Sequence, residues 1–121
     1  MHILFVDDTS ETRDLFQLCF TAEGHAAQTA HSGQDALRVI EESAGQLDVI
    51  IMDYHMWGMT GLEVVRHLRE MKDVPPIPVI LYTSDENSSV DTEAEELGVV
   101  HVVRKPALPT QLIELARQFA K

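Results

Sequence analysis

Residues 49–61, VIIMDYHMWGMTG, decide the fold. Four apolar residues in succession, Val49 to Met52, predict a strand covered on both faces, as in a parallel sheet packed between helices. The run stops at Asp53 and breaks into a glycine-containing loop. Ligands of open α/β sheets gather at the carboxyl ends of the strands, so a carboxylate there is placed for chemistry rather than packing. Asp53 is the candidate reactive group.

Working outward, the same pattern recurs. Ile3 to Val6 is a short apolar run that stops at Asp7 and Asp8. Thr9 and Ser10 suit a helix N-cap, and Leu15, Leu18, Cys19 and Ala22 follow at helical spacing until Gly24. His25 to His31 is a weak, alanine-rich strand suited to a sheet edge, and Ser32-Gly33 opens a helix with Ala36, Leu37 and Ile40 on one face. The central strand is expected over Leu47 to Asp53. Thr60-Gly61-Leu62-Glu63 then matches a capping box, and Leu62, Val65, Leu68 and Met71 continue that helix. After the stiff Val74–Pro78 connection, Val79 to Tyr82 is a strand ending at Thr83-Ser84. The next helix offers chiefly Val90, Ala94 and Leu97, and is expected to be the least firmly held. Val99 to Val103 is the fifth strand, followed by Arg104-Lys105-Pro106. Pro109 opens a last helix with Leu112, Ile113, Leu115, Ala116 and Phe119. Alternating strands and helices imply an α/β domain: a doubly wound parallel sheet with right-handed crossovers and helices on both faces.

A chain of 121 residues suits one domain, taken here as residues 1–121. The net charge of -11 opposes a nucleic-acid or anionic-membrane surface and favours a cation or a protein partner. The lone Cys19 cannot form an internal disulfide; between Leu18 and Phe20 it is expected to be a small buried residue, compatible with a reducing cytoplasm. No stretch approaches the ~18 consecutive apolar residues of a membrane span, so a soluble protein is expected.

The strand ends collect Asp7, Asp8, Asp53, Thr83 and Lys105. Carboxylates brought together repel one another unless something positive sits among them. Oxygen ligands without cysteine point to a hard divalent ion, and so few carboxylates suit Mg2+, which keeps waters and shares its shell with phosphate. With the charge of Lys105 and the hydroxyl of Thr83, such a rim suits a phosphoryl group, and a carboxylate nucleophile would form an acyl phosphate.

Four pieces, FVDD, MDYHMWGMTGLE, LYTS and RKP, carry a resemblance over essentially the whole chain. In this order and spacing the sequence resembles the response-regulator receiver domains, the CheY-like family. The resemblance implies a (βα)5 CheY/flavodoxin-like fold with strand order 2-1-3-4-5. It implies that Asp53 accepts a phosphoryl group from a histidine kinase or histidine phosphotransfer protein. Asp7 and Asp8 would hold Mg2+ with Asp53 and the backbone carbonyl of His55. Thr83 would bond the phosphoryl group, Lys105 would pair with it, and a cis bond is expected before Pro106. Phosphorylation would switch a protein-binding face formed by the fourth helix, fifth strand and fifth helix, acting on another protein or an effector domain outside this chain. The domain would catalyse its own phosphorylation and slow dephosphorylation, with His55 and Asp85 placed to tune water access.

The sequence departs from the family pattern at three places. Trp57 stands where proline is usual, Val102 where an aromatic usually reports the switch, and Ala107 and Leu108 where a phenylalanine and a helix-capping residue are common. Trp57 is expected to be a partly exposed loop aromatic. A degenerate receiver acting as a constitutive interaction module is the main alternative, kept alive by Val102. A Mg2+-dependent phosphohydrolase is disfavoured, because its acid-base carboxylate would stand where this chain has His55.

Overall fold

The apolar runs become the strands of one parallel sheet. The computed structural model describes residues 1–120. Its elements alternate as β1 (His2–Val6), α1 (Ser10–Ala22), β2 (Ala26–Ala30), α2 (Gly33–Ser43), β3 (Val49–Asp53), α3 (Gly61–Glu70), β4 (Val79–Thr83), α4 (Ser88–Glu96), β5 (His101–Arg104) and α5 (Pro109–Phe119). The strand order is β2-β1-β3-β4-β5. Both β3 and β4 are buried along their whole length, as continuous apolar runs require when helices cover both faces.

Strand periodicity divides the core in two. Ile3, Phe5, Val49, Ile51, Ile80 and Tyr82 pack with Phe16, Phe20, Leu112, Ile113 and Ala116, on the side of α1 and α5. Leu4, Val6, Ile50, Met52, Val79 and Leu81 point the other way, against α2, α3 and α4. Register then fixes the rim. Val6 pairs with Met52, so Asp7 and Asp53 end neighbouring strands side by side. Thr83 pairs with Arg104, which sets Lys105 one residue beyond.

Helix ends follow local chemistry, with instructive exceptions. Thr60 and Glu63 form the expected reciprocal capping box, at 3.2 and 3.0 Å, and Ser32 caps α2 by accepting from the Asp35 amide. Thr9 occupies the N-cap of α1 without a side-chain bond; its own amide instead donates to Asp7 Oδ1 at 2.8 Å. At α5 the apolar Leu108 cannot cap, and Gln111 Oε1 reaches back to accept from its amide at 2.7 Å. The Lys105–Pro106 bond is cis.

The expected inner face of α1 is corrected. Leu15 and Leu18 are 53% and 67% exposed, Ala22 is exposed and Cys19 is half-buried. The helix carries two apolar stripes, and Phe16 with Phe20 takes the core. Their rings close on Phe5, with centroids 4.7 and 5.9 Å away, and bury more apolar area than leucines would. Two strand boundaries also shift. Leu47 is fully buried but precedes β3. Val99 lies outside β5, because its amide donates to Ala94 at the end of α4 and is lost to the ladder.

Only Val90 and Ala94 of α4 are buried. Polar contacts do the rest. Arg66 pairs with Glu93 and Arg104 with Asp91, each at 2.9 Å. Arg69 donates to the carbonyls of Leu97, Gly98 and Ile77, tying the end of α4 to α3 and the approach to β4.

Candidate functional site

The carboxyl edge of the sheet gathers every side chain that the sequence singled out. Asp7, Asp53 and Thr83 are the buried polar or charged residues of the described chain, whereas Asp8 is exposed. One carboxylate oxygen from each of Asp7, Asp8 and Asp53 lies within 4.8 Å of the others. Lys105 enters from the loop after β5, with Nζ 3.2 Å from Asp53 Oδ1 and 3.6 Å from Asp7 Oδ2. Its ammonium also lies 5.0 Å from the centre of the Tyr82 ring, whose hydroxyl donates to Ala107. That aromatic support was not anticipated, because Tyr82 looks like any strand residue.

Burial pushes Asp53 up to about 6. The charge and hydrogen bond of Lys105 pull it down, and the charges of Asp7 and Asp8 raise it. Lys105 is the one cation paired with this cluster of three carboxylates among the described residues. The donors are all oxygens, lie close together and have open space on the Asp8 side, so they fit a hard divalent cation.

Asp7 is held at each polar group. Its amide donates to Ala30, Oδ1 accepts from Thr9, Oδ2 faces Lys105, and its carbonyl accepts from Arg13 at 2.8 Å. No reading of the sequence had picked out Arg13. Its position on α1 carries no signal until the helix is docked.

Thr83 Oγ1 accepts from the Asp85 amide at 3.0 Å, leaving its hydroxyl proton free to donate elsewhere. Asp85 accepts in turn from Asn87 and from His55 Nε2, the latter at 2.7 Å. These bonds, the Asn87 amide first, hold its carboxyl below the usual range. The His55–Asp85 contact joins the loop after β3 to the loop after β4, across the mouth of the site. Trp57, 90% exposed on the first of these loops, is fully in solvent rather than partly so. Val102 is half-buried and packs on the α4 side of the sheet.

A family model described as the response regulator receiver domain matches residues 3–117. Among curated relatives, the chain is 32% identical over 111 residues to a probable transcriptional regulator, ycf27, of Cyanidium caldarium, covering 92% of this chain and 43% of that protein. It is 29% identical over 114 residues to the response regulator SaeR of Staphylococcus epidermidis, covering 93% of this chain and 47% of that one. The chain thus spans less than half the length of either relative. Among solved structures, the response regulator TrrA of Thermotoga maritima, in complex with Mg2+ and BeF, superposes with a TM-score of 0.82 at 29% identity, covering 98% of this chain and 97% of that one.

Proposed function

Because the chain belongs to the response regulator receiver domain family of two-component systems, we propose that Asp53 accepts a phosphoryl group and that residues 1–121 act as one switch. The observation that carries this is the convergence of Lys105, 3.2 Å from Asp53, with the carboxylates of Asp7 and Asp8 at the same strand ends. The phosphodonor is a histidine kinase or a histidine phosphotransfer protein. An Asp53 carboxylate oxygen attacks phosphorus, the bond to the donor nitrogen breaks, and an acyl phosphate results. Lys105 neutralises the oxygens gathering over Asp53, where positioning and charge supply most of the catalysis.

Asp7, Asp8, Asp53 and the backbone carbonyl of His55 are the groups that would hold Mg2+. When bound, the ion supplies charge neutralisation between these carboxylates and the phosphoryl oxygens.

The acyl phosphate then draws the free hydroxyl proton of Thr83. Turning inward costs Thr83 its bond to the Asp85 amide, and with it one tie of the loop leading to α4. Since α4 buries only two residues, a small loss at its approach shifts its position. Arg104, adjacent to Lys105 and paired with Asp91 of α4, gives a second connection that does not need an aromatic at Val102. The output is the face of α4, β5 and α5, acting on another protein or on an effector domain. Exposed Trp57 and Leu108, in the loops that follow β3 and β5, supply apolar surface on the rim side for the donor. No helix among the described residues is long and apolar enough to cross a membrane.

Incubation with acetyl phosphate and Mg2+ tests the acceptor. The parent is expected to take one phosphoryl group and Asp53→Ala none; equal label on Asp53→Ala overturns the assignment. The His55–Asp85 contact carries a separate expectation. Breaking a strap worth roughly 1 kcal/mol admits water to the acyl phosphate. His55→Ala and Asp85→Ala should each dephosphorylate about three- to tenfold faster. Unchanged rates in both would remove the strap from the account.

A further inference from the structure

We propose that Arg13 is a positioning residue for the acidic site: its guanidinium fixes the Asp7–Asp8 peptide and so aims the two carboxylates toward the cation. The inference rests on the cation-assisted phosphoacceptor reading above. Its starting point is the hydrogen bond from Arg13 Nη1 to the Asp7 carbonyl, at 2.8 Å. That carbonyl lies just past the end of β1, where the ladder no longer supplies a donor.

The placement of Arg13 runs against helix stability. It sits in the first turn of α1, the end where the helix dipole is positive and a cation is unfavourable. Among the described residues it makes no ion pair, although Glu11 and Asp14 are close in sequence and the chain carries 20 acidic residues against 9 basic ones. Helical side chains lean toward the N-terminus, and this direction carries the guanidinium back to β1. A half-buried arginine unpaired with carboxylates and bonded to one main-chain oxygen is poorly explained as a surface charge.

The consequence falls mainly on Asp8. Asp7 has other ties through Thr9, Ala30 and Lys105. The exposed Asp8 side chain makes no hydrogen bond or ion pair among the described residues. Its direction follows the peptide that Arg13 holds. Rotating that peptide swings Asp8 away from Asp7 and Asp53 and opens the cluster in which the three oxygens lie within 4.8 Å. Groups that orient metal ligands from behind typically change affinity about 10–100-fold when removed.

Calorimetric titration of Mg2+ into the full chain tests this, alongside melting curves taken without Mg2+. Arg13→Ala is expected to weaken Mg2+ binding about tenfold, at the lower end of that range. The Mg2+ concentration giving half-maximal acetyl phosphate labelling should rise by the same factor, with the rate at saturating Mg2+ changed less than about threefold. Arg13→Lys, which keeps a donor and the charge, should recover part of the affinity, and Arg13→Gln less. The melting curves separate positioning from a general loss of stability. Parental Mg2+ affinity in folded Arg13→Ala and Arg13→Gln overturns the proposal. Failure of the parent itself to bind Mg2+ or take label would instead overturn the underlying phosphoacceptor reading, and this proposal with it.

Discussion

Asp53→Asn is expected to melt about 5–10 °C higher than the parent at pH 7.5 in the absence of divalent cations. An unfolded aspartate titrates near ~3.9, whereas burial brings Asp53 in the folded protein up to about 6. The native state therefore holds the proton more tightly than the unfolded state. The stability linked to that proton is fully present below the unfolded pKa and is lost as pH rises through about 6. At pH 7.5 the buried, ionised carboxylate costs at most roughly 3 kcal/mol. Asparagine has nearly the same shape and no charge to desolvate, so it removes this cost, while Lys105 keeps Asp7 as a partner. The advantage should shrink as pH falls from 6 to 4, as the parent protonates. Melting curves across that range in EDTA check it. A variant less stable than the parent at pH 7.5 would show that the charge of Asp53 is well compensated, contrary to the geometry of the rim.

The second large effect concerns Gly61, the first residue of α3. A Cβ there would collide with the carbonyl oxygen of Asp53, lie 3.0 Å from its carbonyl carbon and lie 2.8 Å from Met52 Cγ. Most of that obstruction is backbone, which cannot rotate aside. Gly61 also donates its amide to Tyr54 at 2.8 Å. Gly61→Ala must push α3 away from the end of β3, straining that bond and moving the acceptor strand. A cost of about 3 kcal/mol is expected, at the upper end for overpacking. The melting temperature should fall by about 10 °C, and acetyl phosphate labelling should slow in the protein that remains folded. Gly45→Ala is the control: nothing lies within 4 Å of its Cβ position. Its stability should stay within about 0.5 kcal/mol of the parent. Equal melting temperatures for the two variants would refute the tight contact between α3 and Asp53.

What the sequence disclosed was the part governed by local rules. Apolar runs ending in polar residues located Asp7, Asp53, Thr83 and Lys105, and the parallel sheet then placed their ends on one edge. The capping box at Thr60 was equally legible, since both partners lie within one turn. The buried face of α1 was not. Two stripes had helical spacing, and only the ring of Phe5 on β1 decides for Phe16 and Phe20 over Leu15 and Leu18.

The hold on α4 was half legible. A scarcity of apolar residues marked the helix as weakly packed, but the arginines that fasten it come from α3 and β5. For the same reason Arg13 escaped notice, because its partner is a main-chain oxygen set in place by the fold. His55 and Asp85 were noted singly, but not as a bonded pair spanning two loops.

The central claim is that the carboxylate of Asp53 becomes an acyl phosphate. Borohydride reduces an aspartyl phosphate to homoserine, which marks the modified residue permanently for peptide mass spectrometry. After acetyl phosphate and Mg2+, the account predicts homoserine at position 53 and at no other aspartate. Conversion at Asp7 or Asp8 with Asp53 untouched would contradict it, as would phosphorylated protein in which no aspartate is converted.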